Sequence, residues 1–237
     1  MNLIIDQGNS TAKVALFDGN TLVKVFYAEA LSEELLSGVI REYRPEAGIF
    51  CSVKTLRYLK ALKTLKFFFE LNHHLPLPLT VDYQTPQTLG MDRLAAAVGA
   101  AAQKPNTPLL IVDMGTAITI DYVSAKGVYE GGNISPGVEL RFKSLNQFTD
   151  QLPLINEQGD VPHLGYNTET AIRSGVVEGI VREIDSYIDE YKKKYNIFTF
   201  LTGGYAFYFE SKLKNTIFAD ENLVLKGLNE ILNYQQK

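Results

Sequence analysis

Apolar and polar positions along this chain follow two periods, and the switches between them outline its elements. Leu3–Asp6, Ala12–Phe17 and Val23–Tyr27 are short apolar runs separated by DQGNS and DGN. Glycine, asparagine and aspartate in such gaps predict tight turns, so the pattern reads as three strands. Ser32 then precedes apolar residues at helical spacing through Tyr43, and Pro45 follows. A hydroxyl N-cap and a terminating proline frame a helix there. AGIFCSV predicts a fourth strand. A helix is expected over about Lys54 to Leu71, a strand entered through prolines over PLPLTVDY, and a helix from near Met91 through the alanine-rich LAAAVGAAAQ.

KPNTP, from Lys104 to Pro108, is polar and carries two prolines, which marks a boundary between residues 1–106 and 107–237. The order then repeats. Strands are expected at Leu109–Asp113, Ala117–Val123 and Val128–Gly132, and helices after Pro136 and after Asn167. A strand follows at Phe198–Leu201, and two helices bracket a short strand near Thr216. Strands first and helices after, twice over, indicate an α/β protein with two similar halves. A cleft between such halves is a common location for a ligand.

The repeat is sharpest in LIIDQGNSTAKVALFD, from Leu3 to Asp18, and IVDMGTAITID, from Ile111 to Asp121. Each writes strand, aspartate, glycine, small hydroxyl residue, strand. Glycine lets the backbone approach a ligand closely, and successive N–H groups in such a turn make an anion-binding concavity. The aspartate repels phosphate but can hold a hydrated Mg²⁺. One hairpin of this kind is an ordinary turn; two, each opening half of the chain, point to a nucleotide's phosphates and metal. The first carries Asn9, Ser10 and Thr11, with Lys13 on the returning strand either as a phosphate contact or as a surface lysine. FLTGGYA, from Phe200 to Ala206, ends a strand on two glycines and begins a helix, which suits the cover of an adenine or ribose.

Composition narrows the partners. A formal net charge of −4 at pH 7 argues against nucleic acid. Cys51 is the single cysteine, excluding an intrachain disulfide and fitting a reducing compartment, and its setting reads as a buried strand end. With no charged-then-apolar leader and no apolar run near the ~20 residues of a membrane span, the expectation is a soluble cytoplasmic protein with no membrane partner. His73, His74 and His163 have no metal-ligand spacing and read as surface residues. The runs KFFFE and YAFYFE read as core faces or as cover for a dimer.

Loops of these kinds in this order resemble the acetate kinase, sugar kinase, Hsp70 and actin superfamily. Four motifs narrow the likeness: LGMDRL at Leu89–Leu94, DMGTAITID at Asp113–Asp121, GGNISPG at Gly131–Gly137 and GYNTETAIRSG at Gly165–Gly175. Together they resemble those of type III pantothenate kinases, and the likeness runs from Asp6 to Gly204. The departures are a serine after Asn9 where threonine is common, Met91 where alanine is common, and a somewhat compact chain; none removes a reactive group.

The resemblance implies two ribonuclease H-like halves, each a mixed sheet flanked by helices. The first holds a phosphate loop and a substrate loop, the second a phosphate loop and an adenosine loop. It implies transfer of the ATP γ-phosphoryl group to the 4′-hydroxyl of pantothenate, the first step of coenzyme A synthesis. Asp92 would be the general base, although an aspartate at a helix start also simply complements the dipole. Arg93 would pair with the pantothenate carboxylate, the alternative being a surface salt bridge. Tyr83, Gly90, Met91 and Thr168 would complete the substrate site, with Tyr83 alternatively a core residue and Thr168 a helix cap beside Asn167. Asp6, Gln7, Gly8, Asn9, Ser10, Thr11, Ala12 and Lys13 would cradle the ATP phosphates, with Asp6 near Mg²⁺. Thr116, Gly203 and Gly204 would add contacts from the second half. Asp113 would hold a monovalent cation, K⁺ or NH₄⁺, and the enzyme would be a homodimer. The rival readings are a kinase of another small hydroxylated substrate and a nucleotide-binding regulatory or accessory protein.

Overall fold

The structure, a computed structural model, describes residues 1–8, 11–52 and 60–237. The chain begins with β1 (Asn2–Gln7), β2 (Ala12–Asp18), β3 (Thr21–Ala28), α1 (Glu33–Tyr43), β4 (Ala47–Ser52), β5 (Phe67–Glu70), β6 (Thr80–Val81) and α2 (Met91–Gln103). It continues with β7 (Leu109–Met114), β8 (Ala117–Val123), β9 (Val128–Pro136), α3 (Val138–Gln147) and α4 (Thr168–Lys194). It ends with β10 (Phe198–Thr202), α5 (Ala206–Glu210), β11 (Phe218–Ala219) and α6 (Leu223–Gln235). These elements form two compact units: Met1–Asn106 with Val123–Gly131 and Asn222–Lys237, and Thr107–Tyr122 with Gly132–Glu221. The break at Asn106 falls inside KPNTP, while residues 123–131 and 222–237 group with the first unit.

In the first unit the sheet order is β3-β2-β1-β4-β5, antiparallel through β1–β2–β3 and parallel through β1–β4–β5. Leu3, Ile4 and Ile5 of the central strand are all fully buried. A run rather than an alternation is needed there because both faces are covered. Leu36 and Val39 of α1 join Leu3, Ile5, Val14, Leu16 and Phe50 on one face. α6 packs on β1, β4 and α2. Ser32 caps α1 as expected, its Oγ accepting from Leu35 N at 3.1 Å.

The alanine-rich α2 is explained by its crossing with α6. A Cβ on Gly99 would stand 2.9 Å from Gly227 N, and one on Gly227 would stand 2.7 Å from the Ala95 carbonyl carbon. Only small residues let the two backbones meet so closely. Asparagines tie the same helix to the first hairpin. Asn2 Nδ2 donates to Asn229 Oδ1 and to Asn233 Oδ1, each at 2.9 Å, and Asn229 Nδ2 donates to the Gly19 carbonyl at 2.9 Å.

In the second unit the strands run β11-β10-β7-β8-β9, with β7–β10 and β10–β11 parallel. α4 lays Ile172, Val176, Ile180, Ile184 and Ile188 along one stripe against Leu110, Val112, Ile118 and Ile120. Its start is a reciprocal cap: Thr170 N donates to Asn167 Oδ1 at 2.9 Å and Asn167 N donates to Thr170 Oγ1 at 3.1 Å.

Three expectations are corrected. Of the helix expected over Lys54–Leu71, residues 54–59 lie outside the described ones. Lys60–Thr64 forms a single 3₁₀ turn, and Phe67–Glu70 is a strand parallel to β4. Sheet pairing and the β-favouring aromatics outweigh the leucine spacing. PLPLTVDY contracts to the two-residue β6, because Pro76 and Pro78 have no N–H to give a ladder. KFFFE is not a core face, since Phe67 and Phe68 are exposed on the edge strand.

Candidate active site

Strand register builds the first group of candidate residues. β1 runs antiparallel to β2 and parallel to β4, so Asp6 stands beside Lys13 on one side and Cys51 on the other. The carboxyl ends of parallel strands are where open α/β sheets collect ligand contacts, and Asp6 lies at that end of β1. Gly8 N donates to the Thr11 carbonyl at 3.0 Å and closes the turn beyond it. Asn9 and Ser10 lie outside the described residues. Gln7 pairs with Ala12 across the hairpin, Ala12 is fully buried wall, and Thr11 is exposed.

Charge in this group is unbalanced. Burial pushes the Asp6 carboxyl up to about 6, Lys13 pulls it down, and Asp92 pushes it up again. Burial, with Asp6 and Asp92 adding to it, also holds the Cys51 thiol well above its ordinary range. Cys51 is therefore a buried neutral thiol, as expected. α2 brings Asp92 to this place. Its Oδ1 accepts from Arg93 N at 2.8 Å, and a Cβ on Gly90 would stand 2.5 Å from that same oxygen. The glycine in GMDR thus leaves room for the carboxylate. Met91 is half-buried in the same turn. Arg93 is buried, at 6% exposure. Tyr83 is half-buried and packs edge-on against Tyr129, ring centroids 6.2 Å apart.

The second unit repeats the strand-end aspartate. Asp113 stands in parallel register with Thr202. Gly203 follows at φ +89°, and a Cβ there would press on the Asp113 carboxylate and stand 2.6 Å from Met114 N. Tyr205 N donates to the Met114 carbonyl at 3.2 Å. The glycine pair therefore folds back onto the end of β7, leaving Gly204 exposed. Thr116 is exposed at the hairpin tip, and its carbonyl accepts from Gly137 N at 3.1 Å. Thr168 is exposed at the first position of α4, where Asn167 and Thr170 perform the capping.

Sequence reasoning missed a pocket of about 610 Å³ in the second unit, lined by Glu139, Asn156, Glu157, Arg173 and Tyr205 over an apolar floor that includes Phe142. The Tyr205 hydroxyl is pushed up to about 12 by burial and by Glu157 and Glu139. Its residues are ordinary in type and scattered in sequence, so no local signal announces them. Among the described residues no three His, Cys, Asp or Glu side chains gather as a metal cluster, and the three histidines are exposed. Single carboxylates such as Asp6 and Asp113 suit cations that keep water or phosphate as their other ligands.

Comparison with known proteins adds an independent line. The profile of the type III pantothenate kinase family matches residues 2–190. A type III pantothenate kinase of Azobacteroides pseudotrichonymphae is 55% identical over 240 residues, covering 100% of this chain and 98% of the relative. Another, from Phocaeicola vulgatus, is 51% identical over 241 residues, with 100% of each chain covered. Among solved structures, a Campylobacter jejuni protein described as a Baf-family transcriptional activator superposes with a TM-score of 0.66 at 26% identity. That match covers 99% of this chain and 98% of the other.

Proposed function

The chain belongs to the type III pantothenate kinase family, and from that premise we propose how its residues divide the work. The enzyme phosphorylates the 4′-hydroxyl of pantothenate with ATP, the first step of coenzyme A biosynthesis. Phosphoryl transfer needs in-line positioning, charge neutralisation and an acceptor for the hydroxyl proton. Asp92 takes that proton. The observation that carries this role is the placement of Asp92 near Asp6, at the strand end where Lys13 also stands. Its Oδ1, held by Arg93 N, keeps a fixed orientation while the other oxygen faces the substrate hydroxyl.

Arg93 binds the pantothenate carboxylate; its guanidinium is buried, and a guanidinium can meet a carboxylate in bidentate fashion. Tyr83, Gly90, Met91 and Thr168 complete the substrate site. Gln7 through Lys13 and Thr116 bind the phosphates, and Gly203–Gly204 the adenosine. Asp6 would hold a hydrated Mg²⁺, which supplies charge neutralisation at the phosphates. Burial, the chief cause of the raised Asp6 pKa, penalises its charge, and a bound cation would offset that penalty. Asp113, pressed against Gly203, would hold K⁺ or NH₄⁺.

We also propose a homodimer in the cytoplasm. Phe148, Leu154, Leu164 and Tyr166 of the second unit are all more than half exposed, and a second copy that covered them would take that apolar surface out of water. Among the described residues no helix is long and apolar enough to cross a membrane. The test is ATP-dependent phosphorylation of pantothenate with Mg²⁺, with and without K⁺, by wild type and Asp92→Asn. Turnover that requires Asp92 supports the assignment; near-wild-type turnover in the variant removes Asp92 from the chemistry. Nucleotide binding without any pantothenate turnover would favour the regulatory reading that the Campylobacter jejuni structure's description raises.

A further inference from the structure

We propose that Arg141, on α3, is a positioning residue for the nucleotide-binding turn at Gly115–Thr116, acting through Pro136–Gly137 and anchored by Glu183 on α4. The inference rests on the ATP reading of that turn. Arg141 Nε donates to the Pro136 carbonyl at 2.8 Å, and Nη2 donates both to Ser135 Oγ at 3.2 Å and to the Glu183 carboxylate. Its backbone N–H donates to the Gly137 carbonyl at 3.0 Å. One residue therefore grips the segment 135–137 from its side chain and its main chain.

That segment is the backing of the turn. Gly137 N donates to the Thr116 carbonyl, and a Cβ on Gly137 would stand 2.9 Å from the Thr116 carbonyl carbon. The strap lies flush on the turn, so its position sets where Thr116 presents its N–H and hydroxyl. The grip differs in kind from the other ion pairs on these helices. Lys143–Glu139, Arg182–Glu178 and Lys194–Glu190 join i and i+4 within one helix, and in these and in Lys214–Asp189 the cation is about 60% exposed. Arg141 and Glu183 are 22% and 24% exposed and link two helices to a strand end. Exposed helical pairs contribute little; a partly buried guanidinium fork with three different acceptors fixes geometry.

The geometry predicts an effect on ATP alone. Tyr83, Gly90, Met91, Asp92 and Arg93 belong to the other unit, and Thr168, the one proposed pantothenate residue in this unit, is not among the hydrogen-bond partners of Arg141. The experiment compares wild type with Arg141→Met, Arg141→Lys and Glu183→Gln. It reads ADP affinity by isothermal titration, KM for ATP and for pantothenate, and Tm. Arg141→Met is expected to weaken ADP binding and raise the ATP KM roughly tenfold, as small misplacements of a positioning group do. The pantothenate KM stays within about twofold. Arg141→Lys restores part of the ATP affinity, and Glu183→Gln shifts it in the same direction by less. Unchanged ADP affinity in Arg141→Met, or equal rises in both KM values, overturns the inference. If Arg141→Met does not fold, Glu183→Gln decides by the same split. The ADP titration is independent of turnover: wild type that binds ADP without phosphorylating pantothenate defeats the kinase reading only, whereas wild type that binds no ADP defeats both.

Discussion

Replacing Asp6 by asparagine should stabilise the nucleotide-free enzyme while disabling it. The Asp6 carboxyl sits at about 6 in the folded chain against an ordinary value of 3.8, chiefly because burial penalises the charge and Asp92 repels it. A folded-state pKa above the unfolded value means that between these two pH values the folded protein keeps a proton that the unfolded chain has released. Stability therefore falls as pH rises through that window, and the whole penalty is present above it. The size of the penalty is about 3 kcal/mol, from the rise in pKa at roughly 1.4 kcal/mol per pH unit. Asp6→Asn removes the charge but deprives Lys13 of its partner in register, and Asp6 retains some contact with water. A net gain of about 1–2 kcal/mol is the discounted expectation.

The assay is thermal unfolding followed by circular dichroism, with a chelator present, at pH 5, 6, 7 and 8. A gain of that size corresponds to roughly 2–8 °C in Tm for a chain of this length. The difference between Asp6→Asn and wild type should be smaller at pH 5, where about half of the penalty is already present, and reach its full value by pH 7. Millimolar Mg²⁺ with ADP should then stabilise wild type and leave the variant nearly unmoved, because a ligand stabilises only the form that binds it. A variant less stable than wild type at pH 8, or a difference that does not change between pH 5 and pH 8, refutes the reasoning.

Arg93→Ala should raise the pantothenate KM by about two orders of magnitude, the cost of a lost charged hydrogen-bonding partner, with a much smaller change in the ATP KM; steady-state kinetics with each substrate varied will check this. Gly203→Ala forces a side chain into a φ of +89° and against Asp113 and Met114. It should cost about 1–3 kcal/mol in denaturant unfolding and abolish any stimulation of turnover by K⁺. Gly227→Ala drives a methyl into the Ala95 carbonyl where α2 and α6 cross. It should cost about 3 kcal/mol or more, read as loss of soluble folded protein or a large fall in Tm, whereas Gly175→Ala, with nothing near its Cβ position, should leave Tm unchanged or slightly raised.

What could be read from the chain and what could not divide along physical lines. Turns, caps and strand-end aspartates are local. Ser32, Asn167 and the two Asp-x-Gly hairpins announce themselves within four residues, and the structure has turns or caps at each. Strand partners are not local. Nothing near Asp6 says that Cys51 will stand beside it, because parallel pairing of β1 with β4 is decided by how α1 packs across the sheet. β5 escaped notice for the same reason: the leucine spacing around its aromatics fits a helix until an edge of β4 is available to pair with. Gly227 is an ordinary glycine in a helix until α2 arrives from far earlier in the chain. Arg141 is an ordinary surface arginine until β9 and α4 supply its acceptors. The residues proposed to carry chemistry are visible because they break local rules: an aspartate ending a buried strand, a glycine before an acidic helix start. The residues that hold them in place obey local rules, so their roles appear only in three dimensions. Mutations that change substrate affinity without touching substrate should therefore concentrate at positions like Arg141 and Glu183 rather than in the motifs themselves.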